Sequence, residues 1–123
     1  MYTVTKRMEI AGSHSLCLNY ESPCQRVHGH NWIITVEIKS EILNSNGMII
    51  DFSRIKSTVN LLDHQNINDV IDINPTAENI AAWIYGQITC ELTGQGCDAA
   101  NPAAFVSKVT VQESEGNTAC YMP

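Results

Sequence analysis

The heptapeptide Cys24-Gln25-Arg26-Val27-His28-Gly29-His30 sets a thiol just upstream of two histidines whose spacing suits a single metal ion. On an extended strand, residues two apart project to the same side, so His28 and His30 present their imidazoles together and Gly29 leaves the space between them open. His14 follows a strand-forming run from Tyr2 to Ile10, and a neighbouring strand can bring it to the same point. Three neutral imidazoles without a fourth protein ligand make the donor set of a catalytic zinc site, with one position left for water or substrate. The remaining histidine, His64, stands beside Asp63. Each fragment has an ordinary reading as well: plain strand residues at His28 and His30, an inert buried thiol at Cys24, a polar helix end at Asp63-His64. Metal chemistry is indicated by the joint pattern of histidines and thiol, at positions that an antiparallel fold can gather.

The elements that must do the gathering show in the hydrophobic periodicity. Residues 2–12 alternate loosely and read as a first strand, and 13–28, with Asn19, Glu21, Ser22 and Pro23, read as a loop. From Asn31 to Ile42 the alternation is clean, Trp32, Ile34, Val36 and Ile38 against Thr35, Glu37 and Lys39, which predicts a long amphipathic strand. Asn44-Ser45-Asn46-Gly47 ends it in a tight turn, since Asn-Gly supplies positive φ. Asp51 caps a predicted helix with Phe52, Ile55, Val59 and Leu62 at helical spacing, which delivers Asp63 and His64 at its end. A second helix starts at Asn74-Pro75-Thr76 and carries Ile80, Trp83, Ile84, Ile88 and Leu92 along one stripe. Residues 93–104 read as a loop. Its Gly94-Gln95-Gly96-Cys97-Asp98-Ala99 string resembles a dinucleotide fingerprint but follows a helix and opens none, so it is set aside. Strands are predicted over 105–114 and, after the turn Glu115-Gly116-Asn117, over 118–122.

A chain of 123 residues is one domain, 1–123, with room for a core. No apolar run reaches the length of a membrane span, and Met1 to Glu9 lack the apolar centre of a signal peptide, so a cytoplasmic location is expected. Five cysteines without a C-x-x-C argue against a full disulfide framework and against a structural zinc finger, and point to reduced thiols. A net charge of -6 argues against general nucleic-acid binding, which needs excess Lys and Arg. Arg26, between Cys24 and His28, is the basic residue nearest the site in sequence and reads either as a contact for an anionic ligand or as a solvated loop charge. Glu113 shares strand parity with Val109 and Val111. A carboxylate on an apolar face needs donors, which a ligand with paired N–H groups would supply; an exposed strand end would solvate it instead.

Together these residues resemble the 6-pyruvoyl-tetrahydropterin and 6-carboxy-tetrahydropterin synthase family. The resemblance runs through Ala11-Gly12-Ser13-His14, Cys24-x-x-x-His28-Gly29-His30-Asn31, Gly47-Met48-Ile49-Ile50-Asp51-Phe52, Leu62-Asp63-His64-Gln65-Asn66, Asn74-Pro75-Thr76-Ala77-Glu78-Asn79 and Val111-Gln112-Glu113, six blocks in order. It implies an α+β tunnelling fold (T-fold): a four-stranded antiparallel sheet with two helices packed on one face, assembled into an oligomeric barrel, commonly a homohexamer with active sites at subunit interfaces. It implies 7,8-dihydroneopterin triphosphate as substrate. The three-residue gap between Cys24 and His28 resembles the bacterial 6-carboxy-tetrahydropterin synthases of the queuosine (7-deazaguanine) pathway. The product would then be the carboxy pterin, with acetaldehyde and triphosphate released.

The resemblance also implies roles. Zn2+ on His14, His28 and His30 would bind the side-chain oxygens of the pterin as a Lewis acid. Cys24 would be the general base, and His64, oriented by Asp63, a second proton carrier, supplied by the adjacent subunit. Glu113 would grip the amino and ring N–H edge of the pterin. Thr76 would lend backbone groups to that pocket or act only as a helix cap. Elimination of triphosphate to the pyruvoyl pterin, cleavage to a simpler pterin, and a non-catalytic zinc or pterin module are the alternatives. Two departures stand out: Met8 where members often have an aromatic residue, and Ser15 where many have Arg after the first ligand histidine.

Overall fold

Two long alternating runs pair into the backbone of the sheet. In the computed structural model, which describes residues 1–94 and 100–123, β1 (Tyr2–His14) and β2 (His28–Ser40) are antiparallel from Tyr2 opposite Ser40 to His14 opposite His28. Both therefore reach further into the expected 13–28 loop than periodicity suggested. The extra rungs are polar and glycine-bearing, so apolar alternation does not reveal them, but backbone pairing carries straight through. At the far end β2 stops at Ser40, short of Ile42.

The even-numbered side chains of β2 point inward, and Trp32, Ile34, Val36 and Ile38 have no exposed surface. At about 1.5–3 kcal/mol per fully buried large apolar side chain, this face sets the register of the sheet. Onto it pack Ile55 and Val59 of α1 (Phe52–Val59), Leu62 of the following 3-10 turn, and Ile80, Ile84, Ile88 and Leu92 of α2 (Ala77–Thr93). Asp51 and Thr76 cap the two helices through their side-chain oxygens, as expected. The Asp51 carboxyl is held below its usual range by the backbone N–H of Ser53, first, and by the Ser53 hydroxyl. Phe52, expected on the buried stripe of α1, is exposed instead: it is the first residue of an eight-residue helix whose buried positions begin at Ile55. The turn at Asn44 forms as its composition requires. Gly47 takes φ 77°, and the Asn44 side chain accepts from the N–H groups of Asn46 and Met48.

With β4 (Phe105–Ser114) and β5 (Asn117–Tyr121) the antiparallel part comprises the four expected strands. A fifth, β3 (Gln65–Asn66), lies parallel to β1 at Gly12 and Ser13, so the sheet is mixed, in the order β3-β1-β2-β4-β5. Two residues are too few to show any period. Its docking depends on Gly12, where a side chain's Cβ would stand 3.1 Å from the end of Ile67. Of the expected 93–104 loop, Asn101 is buried and its amide donates to the carbonyls of Ile42 and Ile49. Most of the Gly94–Ala99 string, including Cys97, lies outside the described residues.

Candidate metal centre and active site

The last rungs of the β1–β2 ladder carry the histidines. His14 faces His28 directly, and His30 lies opposite Gly12, whose missing side chain leaves it room. All three project to the helix-covered side, with ring centroids 4.5 Å (His14–His28), 4.8 Å (His28–His30) and 5.3 Å (His14–His30) apart. Trp32, the next inward residue, stands edge-on to His14 and His30 and donates its Nε1–H to the Gly12 carbonyl at 3.0 Å, forming an apolar floor.

Two backbone carbonyls fix how the rings point. Nδ1 of the fully buried His14 is 2.8 Å from the Pro75 carbonyl oxygen, and Nδ1 of His28 is 2.7 Å from that of Arg26. A carbonyl only accepts, so each Nδ1 carries hydrogen and, in the neutral ring, Nε2 is a lone pair turned to the centre. Burial pushes the His30 pKa down, against the opposing pull of Glu113, which favours the neutral imidazole that a metal needs.

Between the rings stands a fourth donor. Glu113 Oε1 is 3.1 Å from Nε2 of His14 and 3.1 Å from Nε2 of His30, yet both nitrogens are buried without a hydrogen-bond partner. One donor atom from each of His14, His28, His30 and Glu113 lies within 4.8 Å of the others. With the Nδ1–H of His14 on Pro75, its Nε2 and the Glu113 oxygen are both acceptors, which repel unless a cation, or a proton, sits between them. The donor set of imidazole nitrogens and a carboxylate oxygen suits zinc. Glu113 thus joins the three histidines expected from the sequence as a fourth candidate donor. It stands at a β-bulge: Gln112 pairs with Thr118 and Ser114 with Asn117, which leaves Glu113 as the extra residue, on the inner face.

Cys24 sits in a 3-10 turn (Pro23–Gln25), half-buried, its N–H on Ser22 Oγ and its carbonyl on the Leu16 N–H. With His28, His30, Glu113 and Asn117 it lines a cleft of 370 Å³. A second cleft, 260 Å³, runs from Glu113 to Ala77 and Glu78 in the first turn of α2. The Thr76 hydroxyl accepts the Asn79 N–H at 3.1 Å as a cap, its own N–H donates to the Asn74 carbonyl and its carbonyl accepts the Ile80 N–H, so its backbone groups are already paired within the fold. Arg26 holds His28 through its carbonyl, while its side chain lines a separate depression with Glu21 and Gln25.

Asp63 and His64 form their pair, with Oδ1 3.0 Å from Nδ1, but stand outside the imidazole cluster of their own chain. Asp63 also accepts the Ala11 N–H at 2.9 Å, and that bond first, with His64 second, holds its carboxyl below the usual range. His64 takes φ 57° and its side chain is 82% exposed, beside an open cleft lined by Ala11, Ser13, Gly29 and Asn31. Sequence reasoning missed Pro75 and Trp32 as parts of the site, and also the two asparagines that clamp the loop after His14. Asn68 brackets the backbone of Ser15 and Asn74 that of Cys17. Proline's carbonyl carries no sequence signal, and Trp32 reads simply as core.

Residues 3–123 match the 6-pyruvoyl tetrahydropterin synthase family. The chain belongs to that family. A Synechocystis sp. protein named 6-carboxy-5,6,7,8-tetrahydropterin synthase is 34% identical over 98 residues, covering 72% of this chain and 75% of that protein. A Pyrococcus furiosus protein named dihydroneopterin monophosphate aldolase is 39% identical over 74 residues, 57% of this chain and 62% of that one. Across four such curated relatives the matched stretches span from 37% to 75% of their lengths. The Caenorhabditis elegans 6-pyruvoyl tetrahydropterin synthase structure superposes with TM-score 0.71 over 99% of this chain and 95% of that one, at 20% identity, so it speaks for the fold. Among the described residues no helix is long and apolar enough to cross a membrane.

Proposed function

We propose that this family member is a zinc-dependent lyase that converts 7,8-dihydroneopterin triphosphate and one water to 6-carboxy-5,6,7,8-tetrahydropterin, releasing acetaldehyde and triphosphate, in queuosine biosynthesis. The observation that carries the reading is the convergence of His14, His28 and His30, the last two lining one cleft with Cys24. The names of relatives such as the Synechocystis protein support the carboxy product.

His14, His28 and His30 would hold the metal, which when bound polarises substrate oxygens and stabilises charge as a neighbouring C–H proton leaves. Cys24 takes that proton, from a position across the cleft from the imidazoles. The Asp63–His64 pair acts as second proton carrier in the site of an adjacent subunit, which fits its exposure away from its own cluster. A homohexamer supplies that arrangement. Glu113 accepts the paired N–H groups of the pterin, with Ala77 and Glu78 in the first turn of α2 lining the same cleft and Thr76 serving as the cap of that helix. Arg26 meets the phosphate chain. The free thiols of Cys17, Cys24, Cys90 and Cys120 suit a reducing cytoplasm.

One observation favours a second reading, cleavage of the side chain of a less phosphorylated pterin. Of seven Lys and Arg, Arg26 alone flanks the Cys24 turn. Lys6 lies eight residues along β1 from His14, about 26 Å away at ~3.3 Å per residue. Lys39 is as remote on β2, and Arg54 is paired with Glu91. Such a substrate is named for the P. furiosus relative.

The test is product analysis by mass spectrometry on zinc-loaded protein given 7,8-dihydroneopterin as triphosphate and as monophosphate. Equal acetaldehyde and 6-carboxy-tetrahydropterin from the triphosphate is the expected result. A pyruvoyl pterin without acetaldehyde, or a strong preference for the monophosphate, refutes the carboxy assignment. Cys24→Ala should keep pterin binding and lose about 10²–10⁴-fold in turnover, the range of a general acid–base group. Unchanged turnover removes Cys24 from the mechanism.

A further inference from the structure

We propose that Glu113 is the fourth ligand of the metal in the substrate-free protein, and that pterin binding, by taking the same carboxylate, uncaps the metal. The inference rests on the metal and pterin reading above and adds a second state to it. Four donors arranged tetrahedrally at zinc bond lengths of about 2.0–2.1 Å stand about 3.3–3.4 Å from one another. One oxygen of Glu113 stands 3.1 Å from Nε2 of both His14 and His30, close to the separation of two ligands on one ion. The contact is a poor hydrogen bond. The Pro75 carbonyl takes the Nδ1–H of His14, which leaves the neutral ring no hydrogen for Glu113, and both Nε2 atoms are buried without a partner.

Metal and pterin ask different poses of the carboxylate. Paired hydrogen bonds to an amino group and a ring N–H set both oxygens along the edge of the ligand, whereas in the present pose one oxygen is turned to the nitrogens of His14 and His30. Glu113 borders two clefts, one shared with Cys24 and the imidazoles and one with Ala77 and Glu78 at the start of α2. Turning from the first toward the second exchanges the metal for the pterin edge. Because Glu113 is the unpaired residue of a bulge, that turn breaks no ladder hydrogen bond of its own. A capped metal also keeps water from its open position until substrate arrives.

The test compares wild type with Glu113→Gln, which is isosteric, and Glu113→Ala, in chelator competition for zinc and in the visible spectra of the cobalt-substituted proteins. Both variants should bind zinc more weakly, by at least the roughly 10- to 100-fold seen when a metal site loses even an outer-shell partner. Their cobalt spectra should differ from that of wild type. Saturating neopterin should move the wild-type cobalt spectrum toward that of Glu113→Gln. Equal zinc affinity with superimposable spectra overturns the inference and leaves the three-histidine centre standing. A wild-type spectrum unmoved by bound neopterin refutes the uncapping. Failure of wild type to take up zinc or cobalt overturns this inference and the metal reading together.

Discussion

On the proposed reading His14 is at once a ligand and a strut, and the two roles separate by mutation. Its ring is fully buried and ties the end of β1 to the Pro75 carbonyl just before α2. In metal-free protein, His14→Ala leaves that buried carbonyl unpaired, at about 1–3 kcal/mol, and opens a ring-sized cavity. Truncating a buried aromatic ring costs about 3–5 kcal/mol, and the smaller imidazole belongs at the low end, so with about 2 kcal/mol for the carbonyl the total is about 5 kcal/mol. Against a typical 5–15 kcal/mol of stability this loss is large. His14→Asn puts an amide N–H where Nδ1–H stands, keeps the bond to Pro75, and should lose about 2 kcal/mol less. Urea unfolding in a chelator, followed by circular dichroism at one fixed protein concentration, measures both. Fixed concentration matters because assembly shifts apparent stability by mass action. With free zinc at a thousand times its Kd, wild type should gain about 4 kcal/mol and neither variant a comparable amount. Equal losses for Ala and Asn would show that the Pro75 bond holds nothing. Full zinc stabilisation of His14→Ala would remove His14 from the ligand set.

Two further predictions concern the Asp63–His64 arm. Asp63 has its carboxyl held down by the Ala11 N–H and by His64, so the folded protein favours the ionised form. That stabilisation is complete above the ordinary carboxylate value of about 3.9 and is lost as pH falls through the lower folded value. Asp63→Asn does not titrate, so its stability deficit relative to wild type should be constant above about pH 5 and shrink below about pH 4; a deficit unchanged at low pH in urea unfolding would contradict the assignment. His64 takes φ 57°, a conformation costing an L-residue roughly 1–2 kcal/mol and glycine almost nothing. Offset by glycine's greater unfolded entropy, His64→Gly should match wild type in stability or exceed it by up to about 1 kcal/mol, while losing turnover. A clear fall in melting temperature would show that the exposed imidazole supports the fold.

Much of this architecture is written in periodicity. The alternation from Trp32 to Ile38, the cap residues Asp51 and Thr76, and the Asn44–Gly47 turn each act through neighbours in sequence, so each could be read without knowing the tertiary fold. His28 and His30 belong to the same class, since strand parity alone puts them on one face. What escaped reading depends on distant backbone. The partners of His14 and His28 are carbonyls, which every residue has, and β3 is two residues paired through main chain alone. Phe52 fits a helical stripe, but an eight-residue helix has too few turns to bury its first position.

Glu113 shows how parity can be right while its consequence is missed. Counting by twos from Val109 and Val111 puts its carboxylate on the inner face, and it lies there. Counting does not say what that face meets at its end, because the answer depends on a bulge opposite β5 and on β1 running two residues further than its apolar pattern. The result is a site of unequal stiffness. His14, His28 and His30 are fixed by a continuous ladder and, for two of them, by a carbonyl behind the ring. Glu113 alone stands on an interrupted strand. A centre built to hold its metal permanently would gain from four rigid donors, whereas one that must admit a substrate needs a donor it can release. The bulge puts that freedom on Glu113, the one anionic member of the cluster among the described residues, and on the proposed reading its departure would leave the metal at its most electrophilic when the substrate oxygens arrive.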